Sequence, residues 1–389
     1  MTYADNRRII DVDSHLFELD DFLHSVATPE EAAYLQPMDG QAELPVSLEA
    51  VEKGRQHLER RNADPAVMAQ FEAGMFDITR SPWSRLGAFD PADRSHALDV
   101  LGFERQVVLG TFSFHQVAHT DDPKALEIGA RVHNRAMGRF CSHDDRLLAG
   151  GYVPLSLGPD IAGALLDEAF ADGCHTVMVD PSDPDPEARS FSHPDFDPFW
   201  ARFSKRDVPA ILHIAVDGHY DPVSPSFKNN GRRATAVGGD APDSILGLIA
   251  MSTSAEIFLS AMIFDEVFER HEGLRFLSLE RGATWVPGWL HQLDFVERTT
   301  RRMAPRARRA SDVARERLRV APFAGEPVGW IIEQLGPEML CFASDYPHPE
   351  GSSDPIRKFE ATMDGIDPAA FDAFYAGVER FLGPVSARA

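Results

Sequence analysis

Asp13 and His15 stand two apart at the end of an apolar, β-rich run at 8–13. In extended backbone such a pair points to one side, so a carboxylate and an imidazole would share a face. His213 ends a second run at 209–214 that is otherwise apolar, and Asp345 ends a third at 339–345. Two imidazoles and two carboxylates make a mixed nitrogen and oxygen set suited to Zn²⁺, Mn²⁺ or Fe²⁺. Carboxylates form half of the set, which leaves Mn²⁺ a serious rival to Zn²⁺. Each residue has an ordinary explanation when taken alone. An Asp-x-His pair is common by chance, His213 could be a core histidine bonded to backbone, and Asp345 could cap a turn. The constellation is stronger than its members because each sits at the end of a predicted strand.

The elements that must carry these residues recur along the chain as short apolar runs followed by helical stretches, the pattern of a parallel α/β protein. Strands are predicted at 8–13, 106–110, 147–153, 175–179, 209–214, 274–280 and 339–345. A weaker one lies at 319–322, where Pro322 argues against a central strand. Apolar residues at helical spacing predict helices over 125–140, 160–171, 245–269 and 285–302. Counting the weak strand gives eight, enough to close a (β/α)8 TIM-type barrel whose functional residues project from the C-terminal strand ends. The reading is therefore one α/β barrel domain over residues 1–389. Residues from about 19 to 99 are too long for one connection and read as a mostly helical insertion after the first strand. The polar, Gly/Pro-rich stretch at about 217–243 reads as a long active-site loop.

The formal net charge of −23 opposes binding to nucleic acid or an anionic membrane surface. No apolar run is expected to approach the roughly 18 residues that span a bilayer. Three cysteines, none in a CxxC pair, give no disulfide framework, and a cytoplasmic setting is expected. One segment runs against the acidic trend: 297–319 holds nine arginines and three acids. It reads as a solvated or subunit-contact face, with docking of an anionic substrate tail as the alternative.

Five segments carry a family resemblance: IDVDSHLFE at 10–18, SHPDFDPFW at 192–200, VPAILH at 208–213, FERHEGLRF at 268–276 and ASDYPHPEG at 343–351. Over nearly its whole length the chain resembles the amidohydrolase-related family, the branch of the amidohydrolase superfamily that includes aminocarboxymuconate-semialdehyde decarboxylase and γ-resorcylate decarboxylase. The resemblance implies one divalent metal ion. Its first-strand pair falls on Asp13 and His15, its fifth-strand ligand on His213, and its eighth-strand aspartate, which also moves a proton, on Asp345. Two positions depart from the family pattern. Asp13 stands where His or Glu is usual, and its shorter arm reaches less far. Glu280, in Glu280-Arg281-Gly282, stands where well-studied members carry a catalytic histidine. It becomes a candidate acid/base or further ligand, with a buried ion pair to a neighbouring arginine as its structural alternative.

The resemblance implies metal-dependent catalysis on a small, cyclic or carboxylated molecule, and the missing sixth-strand histidine favours hydrolysis. A divalent ion lowers the pKa of bound water from about 15.7 towards roughly 7, and Asp345 would take that proton and return it to the leaving group. The alternative on the same scaffold is a non-oxidative decarboxylase (carboxy-lyase). An alternative of another class is a catalytically inactive barrel acting as a binding protein. His115, His219 and His348 are candidates for substrate contact, His348 also as a hydrogen-bonding partner of a ligand. His193 is expected to be structural. A homodimer is an expectation of the resemblance alone.

Overall fold

The computed structural model of the chain describes residues 2–36, 48–118, 120–183, 185–217, 222–231, 244–349 and 351–385. Seven strands form one sheet: β1 (Ile10–His15), β2 (Arg105–Leu109), β3 (Leu147–Val153), β4 (Cys174–Val179), β5 (Ala210–Leu212), β6 (Phe276–Ser278) and β7 (Leu318–Val320). They pair in sequence order, all parallel. Six of the seven predicted ladders match these within a few residues. The weak strand also forms, and it ends at Val320, before the proline that made it doubtful. Nearly every strand residue is buried on both faces, as in parallel sheets covered on both sides, and β3, β5 and β6 carry no charged residue.

The predicted strand at 339–345 does not form a regular strand. It makes only isolated parallel bridges, Val320 with Leu340 and Ser14 with Tyr346. The Cys341 N–H donates to Val320 O at 3.1 Å, the Val12 N–H to Phe342 O at 3.1 Å and the His15 N–H to Tyr346 O at 2.8 Å. The segment therefore lies between β7 and β1. Two features break its ladder. The Ser344 N–H is diverted to the Asp11 carboxylate at 2.9 Å, and Asp345 turns left-handed at φ 54°.

Between β1 and β2 the chain forms helices Pro29–Ala32, Leu48–Ala63, Pro65–Ala73 and Pro91–Leu101. Residues 37–47 of that stretch lie outside the described residues, as do 218–221 and 232–243 of the predicted active-site loop. The helix predicted over 245–269 is corrected to three, Ile245–Ala250, Thr253–Phe264 and Val267–Arg270. Ser252, a poor helix-interior residue, stands at the first break, and Glu266 in left-handed conformation at φ 59° makes the second. Ile245–Phe264 also corrects the expectation about apolar runs. By length and composition alone it is apolar enough to cross a membrane, with a mean hydropathy of 1.7, and one third of it is buried. Its scattered serines and Glu256 hide this from a search for unbroken apolar runs.

Helix Pro123–Cys141 is the longest covering helix, capped by the Asp122 carboxylate on the Lys124 N–H at 2.9 Å. Its Gly138 packs directly on the loop before β4; a Cβ there would sit 2.0 Å from Asp172 O. Phe199, Trp200, Phe203, Phe258 and Phe276 form an aromatic cluster on the β5–β6 side of the core.

Two predictions follow from this packing. Gly138→Ala should destabilise the protein by about 1–3 kcal/mol through overpacking, measured as a lower urea midpoint at unchanged m-value. Burial also holds His133 down at about 3 and His175 at about 4, below the roughly 6.5 of an unfolded histidine. The unfolded chain then binds the extra protons, so stability present above about pH 6.5 falls as the pH drops towards 4. His133→Gln should reduce the slope of stability against pH in that window by up to about one proton.

Candidate metal centre

Four described elements converge on one buried cluster. Asp13 and His15 come from β1, His213 follows β5, Glu280 follows β6, and Asp345 and His348 come from the segment between β7 and β1. His15 Nε2 lies 3.3 Å from Asp13 Oδ1, 3.5 Å from Glu280 Oε1 and 3.6 Å from Asp345 Oδ1. His213 Nε2 lies 3.7 Å from Asp13 Oδ1 and 3.4 Å from Glu280 Oε2. His348 Nδ1 lies 3.1 Å from Asp345 Oδ1 and 3.7 Å from Glu280 Oε1, with its ring stacked on His15 at a centroid distance of 3.8 Å.

These atoms fall into two overlapping groups, each with its ligand atoms within 4.8 Å of one another: Asp13, His15, His213 and Glu280; and His15, Glu280, Asp345 and His348. The spacing fits atoms arranged around a cation. Asp13 Oδ1, His15 Nε2, Glu280 Oε1 and Asp345 Oδ1 are buried with no hydrogen-bond partner. Buried polar atoms are ordinarily satisfied, and a divalent ion held by either group would take up several of these atoms at once, so the residues fit a metal.

The electrostatics divide the carboxylates. Burial pushes Asp13 up, but the imidazoles of His15 and His213 outweigh it and hold the carboxyl below its usual range. Burial likewise opposes ionisation of Glu280, and His213, His15 and His348 together hold it well below. Asp345 goes the other way: burial, with Glu280 adding to it, holds its carboxyl well above the usual range against the pull of His348. For His15, burial and the stacked His348 push down, yet Asp13 and Glu280 raise it to about 10.

The scaffold fixes these side chains from behind. The Asp11 carboxylate accepts from the Ser344 N–H at 2.9 Å, the Ser344 hydroxyl at 2.6 Å and Gln106 Nε2 at 2.9 Å, tying β1 to β2 and to the strand-like segment that carries Asp345. Arg85 donates to the carbonyls of Pro347 and His348, and Thr111 Oγ1 bonds His348 Nε2 at 2.8 Å. Arg94 donates to His15 O. Glu280 and Asp345 both adopt left-handed backbone, at φ 50° and 54°, a costly state for residues with side chains that tends to mark functional sites. Gly351 lets its loop close over Asp345, since a Cβ there would lie 3.0 Å from Asp345 O.

The ion pair suggested for Glu280 with its neighbouring arginine does not form. Arg281 points away, donating to His213 O at 2.8 Å and Ser254 Oγ at 2.6 Å. It positions His213 instead. His348 packs within the cluster, its Nδ1 facing Asp345 and Glu280. His219 and the side chain of His115 lie outside the described residues. His193 caps the short helix Pro194–Phe196, accepting from the Asp195 N–H at 3.2 Å. Sequence reasoning missed Asp11, which sits in the quoted IDVDSH motif, and its alternation with Asp13 along β1 was the available signal. A cavity of about 360 Å³ opens on Asp13, Glu280 and Asp345, walled by apolar residues including Ile214, Leu248, Met251 and Phe323.

Burial raises Asp11 to about 6, so at pH 7.5 it is ionised and accepts from all its donors. Asp11→Asn turns an amide NH₂ towards a buried donor and should cost about 1–3 kcal/mol, read by chemical denaturation of the metal-free protein at pH 7.5.

Comparison with known proteins places the chain. The amidohydrolase family model matches residues 10–377. No curated protein sequence matches. Among solved structures, an amidohydrolase of Mycobacterium avium subsp. paratuberculosis K-10 is similar at 20% identity and TM-score 0.71, over 97% of this chain and 98% of that one. The 2,6-dihydroxybenzoate decarboxylase from Rhizobium is similar at 16% identity and TM-score 0.63, over 96% and 98%. The 5-carboxyvanillate decarboxylase of Novosphingobium aromaticivorans DSM 12444, complexed with manganese and 4-hydroxy-3-methoxy-5-nitrobenzoic acid, is similar at 16% identity and TM-score 0.64, over 98% and 99%. At these identities the likeness is one of fold. With the family model spanning almost the full length, the chain belongs to the amidohydrolase family.

Proposed function

We propose that the protein is a metal-dependent, non-oxidative decarboxylase of a small aromatic carboxylic acid, built on a (β/α)8 barrel whose eighth strand place is taken by 340–346 and whose residues 19–99 form a mostly helical insertion. The observation that carries the reading is the cavity: an apolar-walled space of about 360 Å³ whose polar end is the carboxylate–imidazole cluster. Such a wall accepts a ring and keeps out the bulk water that hydrolysis consumes. The likeness to two aromatic-acid decarboxylases supports this carboxy-lyase reading over the hydrolytic one expected from the sequence.

Asp13, His15, His213 and Glu280 would hold the ion, with Asp345 reaching it through His15 and Glu280. Mn²⁺ is favoured by the carboxylate content and by the manganese in the similar decarboxylase. An ion held there would supply Lewis acidity towards the substrate oxygens. The chain's own residues do the rest. The wall orients the ring. Asp345, whose carboxyl burial pushes well above its usual range, would deliver a proton to the ring carbon as that carbon's bond to the carboxyl carbon breaks and CO₂ leaves. Glu280, held ionised by three imidazoles, keeps His15 and His213 in place.

Three measurements test this. Incubation with hydroxybenzoic acids in ¹⁸O-water should release CO₂ with no label in the organic product; labelled product overturns the reading in favour of hydrolysis. Asp345→Asn should lower kcat by about 10²–10⁴-fold, with manganese content measured alongside. His15→Ala and His213→Ala should each weaken manganese retention by at least roughly tenfold, read by elemental analysis after gel filtration.

A further inference from the structure

The chain has only five lysines, and one of them, Lys358, lines the cavity. It lies on helix Pro355–Glu360, on the chain segment that follows Asp345 and His348. Among the described lining residues it is the one basic side chain; the charged groups sharing the cavity with it are Asp13, Glu280 and Asp345. Lys53 and Lys124 pair with Glu49 and Glu127 at 2.5 and 3.1 Å. Lys358 forms no ion pair with any described carboxylate. The nearest acids in sequence are engaged elsewhere: Asp354 with Arg357 at 3.2 Å and Glu360 with Arg7 at 2.6 Å. The three cavity carboxylates are also more than an ion-pair distance from it, although a lone ammonium and an acidic cluster attract one another.

The cavity is thus lined both by the carboxylates of the cluster and by one ammonium, on the exposed residue Lys358, with apolar residues in the same wall. The cluster would take an oxygen-rich group through a cation, and Lys358 presents a cation of its own. An ammonium there repels cationic ligands, gives a neutral ring at most a cation–π contact, and forms a stronger, charge-assisted hydrogen bond with an anion. We propose that Lys358 is the specificity residue of this site and that the substrate class is an aromatic diacid: one carboxylate at the cluster, and a second anionic group, most simply a carboxylate, at Lys358. The inference rests on the reading of this cavity as the substrate site. Lysine suits the role because its flexible stem and point charge meet an anion without demanding bidentate geometry.

The test uses manganese-loaded full-length protein and matched probes. Isophthalate and terephthalate are compared with 3- and 4-carbamoylbenzoate, in which one carboxylate becomes a neutral amide of similar shape. Each is titrated calorimetrically into wild type, Lys358→Met and Lys358→Arg. Wild type should bind at least one diacid roughly tenfold or more tightly than its amide, as expected for a hydrogen bond to a charged group. Lys358→Met should abolish that preference while leaving amide binding unchanged, and Lys358→Arg should retain it. The proposal is overturned if wild type shows no preference, including no binding of any probe. It is overturned equally if Lys358→Met keeps the preference, which would assign it to the metal. This outcome is separable from the reaction: a Lys358-dependent preference without CO₂ release keeps this proposal and sinks the decarboxylase, and CO₂ release from monoacids without that preference does the reverse.

Discussion

The structure depends on burying three carboxylates beside three imidazoles, with Asp345 keeping 20% of its side-chain surface exposed. Isolated buried carboxylates are strongly disfavoured, and they persist only when paired or bound to a cation. Here the compensation is uneven. Asp13 and Glu280 are stabilised as anions by the histidines, whereas Asp345 is left leaning towards its protonated form. That asymmetry is chemically useful, because two groups hold charge while a third holds a proton. It arises because burial outweighs the pull of His348 and His15 on Asp345, and Glu280 adds to the burial.

Holding such a cluster requires backbone that regular strands do not supply. Glu280 and Asp345 are both in left-handed conformation, and the surrounding hydrogen bonds over-determine them. Asp11 takes the donors that a regular strand at 344 would have given to its neighbour. Arg85, Arg94 and Arg281 each spend their guanidinium donors on carbonyls of the loops and strand ends carrying the cluster. Buried arginine is costly when unpaired, and a fork of fixed donors on several carbonyls is an arrangement that offsets the cost. The site is thus built from two layers: side chains that could meet an ion, and charged groups behind them that fix where those side chains start.

The proposed choice between chemistries that share the cluster rests on the cavity. Residue types at the cluster are equally consistent with activating water and with assisting loss of CO₂. The apolar wall contributed by Ile214, Leu248, Met251 and Phe323 favours the second. These residues come from the loop after β5, the helices at Ile245–Ala250 and its following turn, and the loop after β7, so the shape belongs to connections rather than to the sheet.

The sequence by itself determined the parallel α/β order, since continuous apolar runs separated by helical periodicity leave few alternatives. It also determined the placement of Asp13, His15, His213, Glu280 and Asp345, because each adjoins such a run and strand ends are where side chains leave the sheet. Local pattern could not show that 339–345 would fail as a regular strand, because the cause is Asp11, over 300 residues away in the chain. Nor could it show that His348 would turn into the cluster, that Arg281 would turn away from Glu280, or that Lys358 would reach the cavity wall. Those outcomes are set by which groups tertiary packing brings within a few ångströms, and a distance of that kind leaves no trace in residue spacing.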